Sequence, residues 1–262
     1  MERKIAFFSD VHGNLHALEA ILRHLEGRGV KEMASLGDLV GYGAFPNEVV
    51  ALVREKGIPT LRGNYDDAVG MDRDDCGCAY RDPEAEALGN RSFEWTKEQT
   101  SGENKSFLAS LPGELRWEVE GSKALLVHGS PRKINEYLYA DRSEESFRRV
   151  ARASGADVIA FGHTHRPFHK VFDGVHFINV GTAGKPVDGD PRVGYCVVTF
   201  GQRADGKGGK GVAEGGDSLA SIQVDFTRVG YDVEAAARAI ESSGLPVEFA
   251  ALLRTGGVAQ GT

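Results

Sequence analysis

Cysteine is scarce in this chain, with three residues in 262. An odd number cannot close into a full set of disulfides, which excludes a cystine-stapled fold. No apolar run reaches the length of about 18 residues that a membrane-spanning helix needs. Positive charge is in deficit: 31 Lys and Arg against 38 Asp and Glu leave a formal net charge of −7. That balance disfavours a protein that tracks nucleic-acid phosphates, so nucleic acid is not an expected partner. The first residues enter a strand pattern directly, without the basic and apolar regions of a signal peptide. The expected location is the cytoplasm, where a reducing environment keeps the thiols free. Hydrophobic residues make up 41% of the chain, enough for a sizeable core and too many for wholesale disorder.

Five short strings place a carboxylate, carboxamide or imidazole beside a glycine. They are Asp10-Val11-His12-Gly13, Gly37-Asp38, Gly63-Asn64, His128-Gly129 and Gly162-His163-Thr164-His165. Each follows a short apolar run: Ile5–Phe8, Met33–Leu36, Ile58–Leu61, Ala124–Val127 and Val158–Phe161. Tight bounding by turn residues makes these runs read as buried strands rather than helices. Their polar residues then lie past strand carboxyl ends, where ligands bind in open α/β sheets. Glycine permits the sharp turn and close backbone approach that such a site needs.

Between the first strings the pattern is helical. Asn14 to Arg28 carries Leu15, Leu18, Ile21, Leu22 and Leu25 at helical spacing, with Asn14 as N-cap. Pro46 to Lys56 makes a second helix, giving a parallel βαβαβ start that ends at Asn64. A partly helical insert at about 66–112 follows, with helices expected over Pro83–Gln99 and Glu103–Ser110, and it should overhang the site. Leu115–Val119 and Ser122–Val127 form a hairpin, Ser143–Ser154 a helix, and Phe168–Phe172 with Val175–Val180 a second hairpin through Asp173-Gly174. The second half is expected to be mainly antiparallel. Its last strands, Gly194–Phe200 and Leu219–Arg228, flank a flexible Gly-rich loop at 201–216, and helices at Val233–Ser243 and Pro246–Leu253 close a single domain over 1–262.

Seven side chains are candidate metal ligands: Asp10, His12, Asp38, Asn64, His128, His163 and His165. Asp38 is the natural bridge, because one carboxylate can offer an oxygen to each of two cations. Asp10, His12 and one histidine of the GHTH string complete one site; Asn64, His128 and the other complete the second. Ligation by oxygen and imidazole without thiolate suits two divalent transition-metal ions, manganese first, with iron, zinc, nickel or cobalt as alternatives. Two such ions can activate a shared water and hold phosphoryl oxygens through an in-line displacement.

The strings Asp10-x-His12, Gly37-Asp38-x-x-Gly41, Gly63-Asn64-x-Asp66, His128 and Gly162-His163-x-His165 resemble, in order, the five motifs of the calcineurin-like metallophosphoesterases. The resemblance implies a four-layer αββα sandwich, two mixed sheets flanked by helices. It also implies that Asp38 bridges, that His165 joins Asp10 and His12, and that His163 joins Asn64 and His128. The activity implied is that of a phosphatase or phosphodiesterase in which a metal-bridging hydroxide attacks a phosphate ester, with Asp38, Asn64 and His128 as catalytic residues. The family's usual histidine after the third strand is replaced by Tyr65, and a phenol is a poorer proton donor near neutral pH than imidazolium. That departure implies either substrates with good leaving groups or another residue in the histidine's place.

His128-Gly129-Ser130-Pro131-Arg132, Asn135-Glu136-Tyr137-Leu138 and Asn179 to Pro186 further resemble small prokaryotic phosphoesterases related to symmetrical diadenosine-tetraphosphate hydrolases. The implied partner is a small phosphorylated substrate, such as a nucleotide or dinucleoside polyphosphate. Arg132, Lys185 and Arg192 are candidate substrate contacts, since guanidinium and ammonium groups suit phosphate oxygens. Tyr65 is a fourth, pointed at the site by its neighbours, with simple packing as the other reading. Asp66 reads equally as a helix cap or as support for the ligands. Cys76-Gly77-Cys78 reads as a pair of ordinary thiols, because no second pair accompanies it to build a zinc site. Two other classes fit the same pocket: a metal-dependent nucleotide sensor without turnover, and a nuclease.

Overall fold

Alternation of side chains along β1 (Arg3–Phe8) explains the layering. Ile5 and Phe7 point to one face and join a core between two sheets, whereas Ala6 and Phe8 point to the other and pack under helices. The computed structural model describes residues 2–80, 82–202 and 221–258. Its first sheet has the order β2-β1-β8-β9, with β2 Glu32–Ser35, β8 Val193–Phe200 and β9 Ile222–Val229. The second has the order β3-β4-β5-β7-β6, with β3 Glu114–Val119, β4 Ser122–Val127, β5 Val158–Phe161, β6 Phe168–Phe172 and β7 Val175–Asn179.

Helices α1 (Leu15–Gly27) and α2 (Pro46–Glu55) cover the outer face of the first sheet, burying Leu18, Ile21, Val49 and Val50. On the outer face of the second, α6 (Glu144–Ser154) buries Phe147 and Val150 against Phe161 and Phe177. The result is the four-layer sandwich, with Ala34, Leu36, Ala124, Leu126, Ala160 and Val198 filling the space between the sheets. Helices α4 (Pro83–Gln99) and α5 (Gly102–Ser110) form the insert. The last pair, α7 (Val233–Ser243) and α8 (Glu248–Arg254), pack on Tyr42, Ala44, Leu88 and Trp95.

Two readings need correction. Ile58–Leu61 is a single parallel bridge, Ser35 to Thr60, rather than a strand, since Pro59 lacks an N–H and the run ends at once in Arg62-Gly63. A helix also begins at the third string, α3 (Asn64–Gly70), where Asp66 accepts the N–H of Gly63. The second half is mainly antiparallel as expected, through β3–β4, β6–β7, β8–β9 and β1–β8, with β4–β5 and β5–β7 as parallel pairs at the centre of their sheet. The Gly-rich loop expected at 201–216 falls, from 203 onward, outside the described residues.

Candidate metal centre

The polar strings leave the carboxyl ends of strands in both sheets and meet at one end of the sandwich. Asp10, His12, Asp38, His163 and His165 all take left-handed backbone, with φ of 56°, 49°, 55°, 66° and 59°. Such conformations cost roughly 1–3 kcal/mol each and persist only where surroundings over-determine them. Here the surroundings are hydrogen bonds between the strings. Asp10 donates its N–H to the Gly37 carbonyl at 2.9 Å, and His12 donates to that of Asp38 at 2.9 Å. The backbone N–H of His163 donates to Asp10 Oδ2 at 2.9 Å, and that of Tyr65 to Asp38 Oδ1 at 2.8 Å. At Gly63 and Gly162 a Cβ would overlap the carboxylates of Asp38 and Asp10 respectively.

Two groups result, Asp10 with His12 and His165, and Asp38 with His128 and His163, all six buried. Asp38 Oδ2 stands between them, 3.4 Å from His128 Nε2 and 3.7 Å from His12 Nε2. Asp10 Oδ1 lies 3.2 Å from His165 Nε2. Three imidazoles are fixed by carbonyls that can only accept: His12 Nδ1 by Val40 at 3.0 Å, His128 Nδ1 by Leu36 at 2.8 Å and His165 Nδ1 by Lys185 at 2.8 Å. Each Nδ1 therefore carries a proton, and each Nε2 is the atom left to offer a lone pair to a cation at the centre once any proton on it is displaced.

That lone-pair arrangement fits a cation. His12 Nε2 and His165 Nε2 approach to 3.2 Å, and His128 Nε2 and Asn64 Oδ1 to 3.0 Å. Acceptors so close repel unless a proton or metal ion lies between them. Asp10 Oδ1 and His163 Nε2 are buried without any hydrogen-bond partner, and such orphans carry a desolvation cost that coordination removes.

Charge within the centre follows the same logic. Burial pushes His12 down to about 4, and burial together with the neighbouring His128 pushes His163 down to about 4, so both are neutral ligands at physiological pH. Burial opposes charge on His128 as well, but the Asp38 carboxylate, by charge and hydrogen bond, and Asp10 raise it to about 10. Without a metal, that proton stands in for one. Burial also resists ionisation of Asp10, yet His165, His128 and His12 hold its carboxyl far below the usual range.

Asp66 does both jobs expected of it. Its carboxylate accepts the backbone N–H groups of Asp38 at 2.8 Å, Leu39 at 2.9 Å and Gly63 at 3.0 Å, tying the second string to the third. Burial and the nearby Asp38 charge raise it to about 7. Asn64 is oriented from the insert, since its Nδ2 donates to the Cys76 carbonyl at 2.9 Å and to Cys78 Sγ at 3.3 Å. Both amide protons are thus taken up, and the side chain offers Oδ1 to the centre rather than a donor to substrate.

A cleft of about 780 Å³ opens over the centre, lined by His12, Asp38, Asn64, His163 and His165 together with Tyr80, Leu88, Tyr137, Tyr139 and Leu252. A groove of about 1090 Å³ elsewhere, along Arg3, Glu32 and Trp117, holds none of the candidate ligands. Lys185 lines the cleft, with Nζ 4.3 Å from the centre of the Tyr42 ring, and burial lowers its ammonium below the ordinary range. Tyr65 also lines it, but its ring packs edge-on to His12 and burial raises its phenol well above 10, so it does not supply a proton near neutral pH.

Two expected substrate contacts lie elsewhere. Arg132 is ion-paired with Glu136, and Arg192 with Asp190, both outside the cleft lining. Tyr137, which the sequence places in a resembling string without a role, has its ring 4.1 Å from that of His163 and stacks on Tyr139 at 5.7 Å and 20°. Asn179, which likewise opens a resembling string, gains its role here: its Nδ2 donates to the Gly162 carbonyl at 2.8 Å and to Thr164 Oγ1 at 2.9 Å, bracing the turn before His163.

A two-sheet αββα sandwich carrying paired oxygen and imidazole clusters at one end defines a class, the metallophosphoesterases. The chain belongs to the calcineurin-like phosphoesterase superfamily, whose domain matches residues 3–203. It is accordingly a metal-dependent hydrolase of phosphoric esters. An uncharacterised protein of Methanocaldococcus jannaschii is 32% identical over 260 residues, covering 92% of this chain and 93% of that one. A metallophosphoesterase of Sphaerobacter thermophilus is 30% identical with a TM-score of 0.73, covering 98% of this chain and all of its own. A hypothetical protein of Pyrococcus horikoshii OT3, 20% identical, shares the fold with a TM-score of 0.78 over 98% of this chain and 99% of its own. Among the described residues no helix is long and apolar enough to cross a membrane.

Proposed function

We propose that the protein hydrolyses a phosphate ester with two metal ions, one held by Asp10, His12 and His165, the other by Asn64, His128 and His163, with Asp38 shared. The observation that carries this reading is Asp38 Oδ2, which faces an imidazole of each group at 3.4 and 3.7 Å. Divalent ions bound there, manganese first among the candidates, supply an activated water and Lewis-acid contacts to phosphoryl oxygens. The chain's own contribution is position. Carbonyl-locked imidazoles and left-handed turns hold the ligands in place before substrate arrives, so little reorganisation accompanies reaction.

Lys185 places a positive charge on the cleft wall, suited to a phosphate oxygen or a departing oxygen anion. No imidazole occupies the position of Tyr65, and this favours phosphoanhydrides and aryl esters, whose leaving groups need little protonation. The Tyr137–Tyr139 stack beside His163 gives a planar face for a base or aryl ring. A nucleotide or dinucleoside polyphosphate matches that combination.

After manganese loading, turnover of p-nitrophenyl phosphate, its bis ester and a dinucleoside polyphosphate tests the proposal. Activity in at least one assay, abolished by Asp38→Asn, is expected. Absence of turnover with every divalent metal tried would return the reading to a nucleotide sensor.

A further inference from the structure

The Cys76-Gly77-Cys78 string lies against the candidate centre, and the proposed reaction makes no use of its sulfurs. Both cysteines are free, with their sulfurs 2.6 Å apart. A covalent S–S bond is about 2.05 Å, so only a small closure separates the pair from a disulfide. The turn is held for that approach. Gly77 has φ +64°, its N–H donates to Asp75 Oδ1 at 2.7 Å, and its carbonyl accepts from Asn135 Nδ2 at 2.8 Å. Cys78 is half-buried and lines the cleft, whereas Cys76 is 7% exposed and sits behind it, 3.8 Å from the Tyr80 hydroxyl.

The same turn orients a candidate ligand. Asn64 Nδ2 donates to the Cys76 carbonyl and to Cys78 Sγ. A bond between the sulfurs engages both groups that hold this amide, whose Oδ1 lies 3.0 Å from His128 Nε2, so the position of Oδ1 is coupled to the state of the pair.

We propose that Cys76 and Cys78 are a redox modification site, closed to a disulfide by a low-molecular-weight disulfide that enters the cleft, and that closure weakens the metal site served by Asn64. The exchange balances in two steps. Cys78 sulfur attacks the reagent and releases one equivalent of its thiol, giving a mixed disulfide. Cys76 sulfur then attacks Cys78 sulfur and expels the second thiol, so the protein loses two electrons and two protons and the reagent gains them. The effect on the metal rests on the ligand role proposed for Asn64, whereas formation of the bond does not.

The test treats the manganese-loaded full chain with oxidised glutathione and reads intact mass, thiol count and manganese affinity. Wild type should lose the mass of two hydrogens, with Cys76 and Cys78 joined in the peptide map. Manganese affinity should fall about tenfold, the scale expected when a group orienting a ligand is disturbed, and dithiothreitol should restore it. In Cys76→Ser the backbone carbonyl is kept and the resolving sulfur is gone, so a stable glutathione adduct should collect on Cys78. Two free thiols surviving at 76 and 78 under excess oxidant would overturn the proposal, as would a cross-linked protein that binds manganese as tightly as before. These readouts need no turnover, so a failure of the hydrolase reading is recognised separately, by inactivity of the reduced protein.

Discussion

Lys185 meets the candidate ligands in two ways, by its backbone carbonyl at His165 Nδ1 and by the charge of its ammonium on His12 and Asp10. Lys185→Met keeps that carbonyl and removes the charge. Its kcat/KM should fall about 10- to 100-fold for a phosphate ester, the scale of a lost charge-assisted contact of roughly 1.5–3 kcal/mol, while manganese affinity measured by calorimetry does not fall, because removing a cation beside Asp10 and His12 favours the metal. His128 makes a different prediction. Its folded value of about 10 lies above the ordinary 6.5, so the metal-free fold binds this proton more tightly than the unfolded chain does. The resulting stability is complete below pH 6.5 or so and is lost as pH rises through about 10. A cation at Nε2 displaces the same proton, so manganese affinity should rise with pH across that window, with proton release on binding. Calorimetry in buffers of differing ionisation heat reads that release, and pH-independent binding would contradict it. The ion-paired arginines carry a sequence lesson at this scale. Arg132 has Glu136 four residues on and Arg192 has Asp190 two residues back, acids near enough in the chain to pair with them before any substrate does.

Helices and strands were legible where periodicity was strong: α4 and α6 lie where capping and apolar spacing place them. The start of α3 was not, because Asn64-Tyr65-Asp66-Asp67 has weak helical propensity and gains its helix from Asp66 capping Gly63. The candidate ligands announce themselves by residue type, whereas the carbonyls of Leu36, Val40 and Lys185 that fix three imidazoles have no type to announce. Gly63 is where an element and the centre meet. Gly63→Ala should destabilise the metal-free fold by about 1–3 kcal/mol through overpacking and abolish the manganese-dependent rise in Tm, because the new Cβ collides with Asp38. On the cover helix α8, Phe249 packs at 5.2 Å and 70° on Tyr42, whose ring abuts that of His12. Phe249→Ala should lower stability by about 3 kcal/mol and raise KM more than it lowers kcat. Denaturant melts and steady-state kinetics separate the two effects.

For the molecule as a whole, the centre joins two sheets. Asp10, His12 and Asp38 follow strands of the first, and His128, His163 and His165 follow strands of the second. A metal ion there resists separation of the layers, not merely fraying of a loop. Calorimetric unfolding should therefore show one transition, moved upward as a unit by manganese; at free metal 100 times its Kd, one ion adds about 2.7 kcal/mol. Two resolved transitions, only one of them sensitive to a chelator, would mean that the layers unfold independently.

The left-handed turns at Asp10, His12, Asp38, His163 and His165 also bear on how the chain tolerates mutation. Apart from glycine, the residues that enter this conformation most readily are Asn, Asp and His, and these three are themselves metal ligands. Among random exchanges at the five positions, those that spare the backbone will tend to retain a coordinating atom. In a deep mutational scan, the variants that stay folded should thus be enriched in chains that still bind metal, and drift away from coordination should pass mainly through glycine.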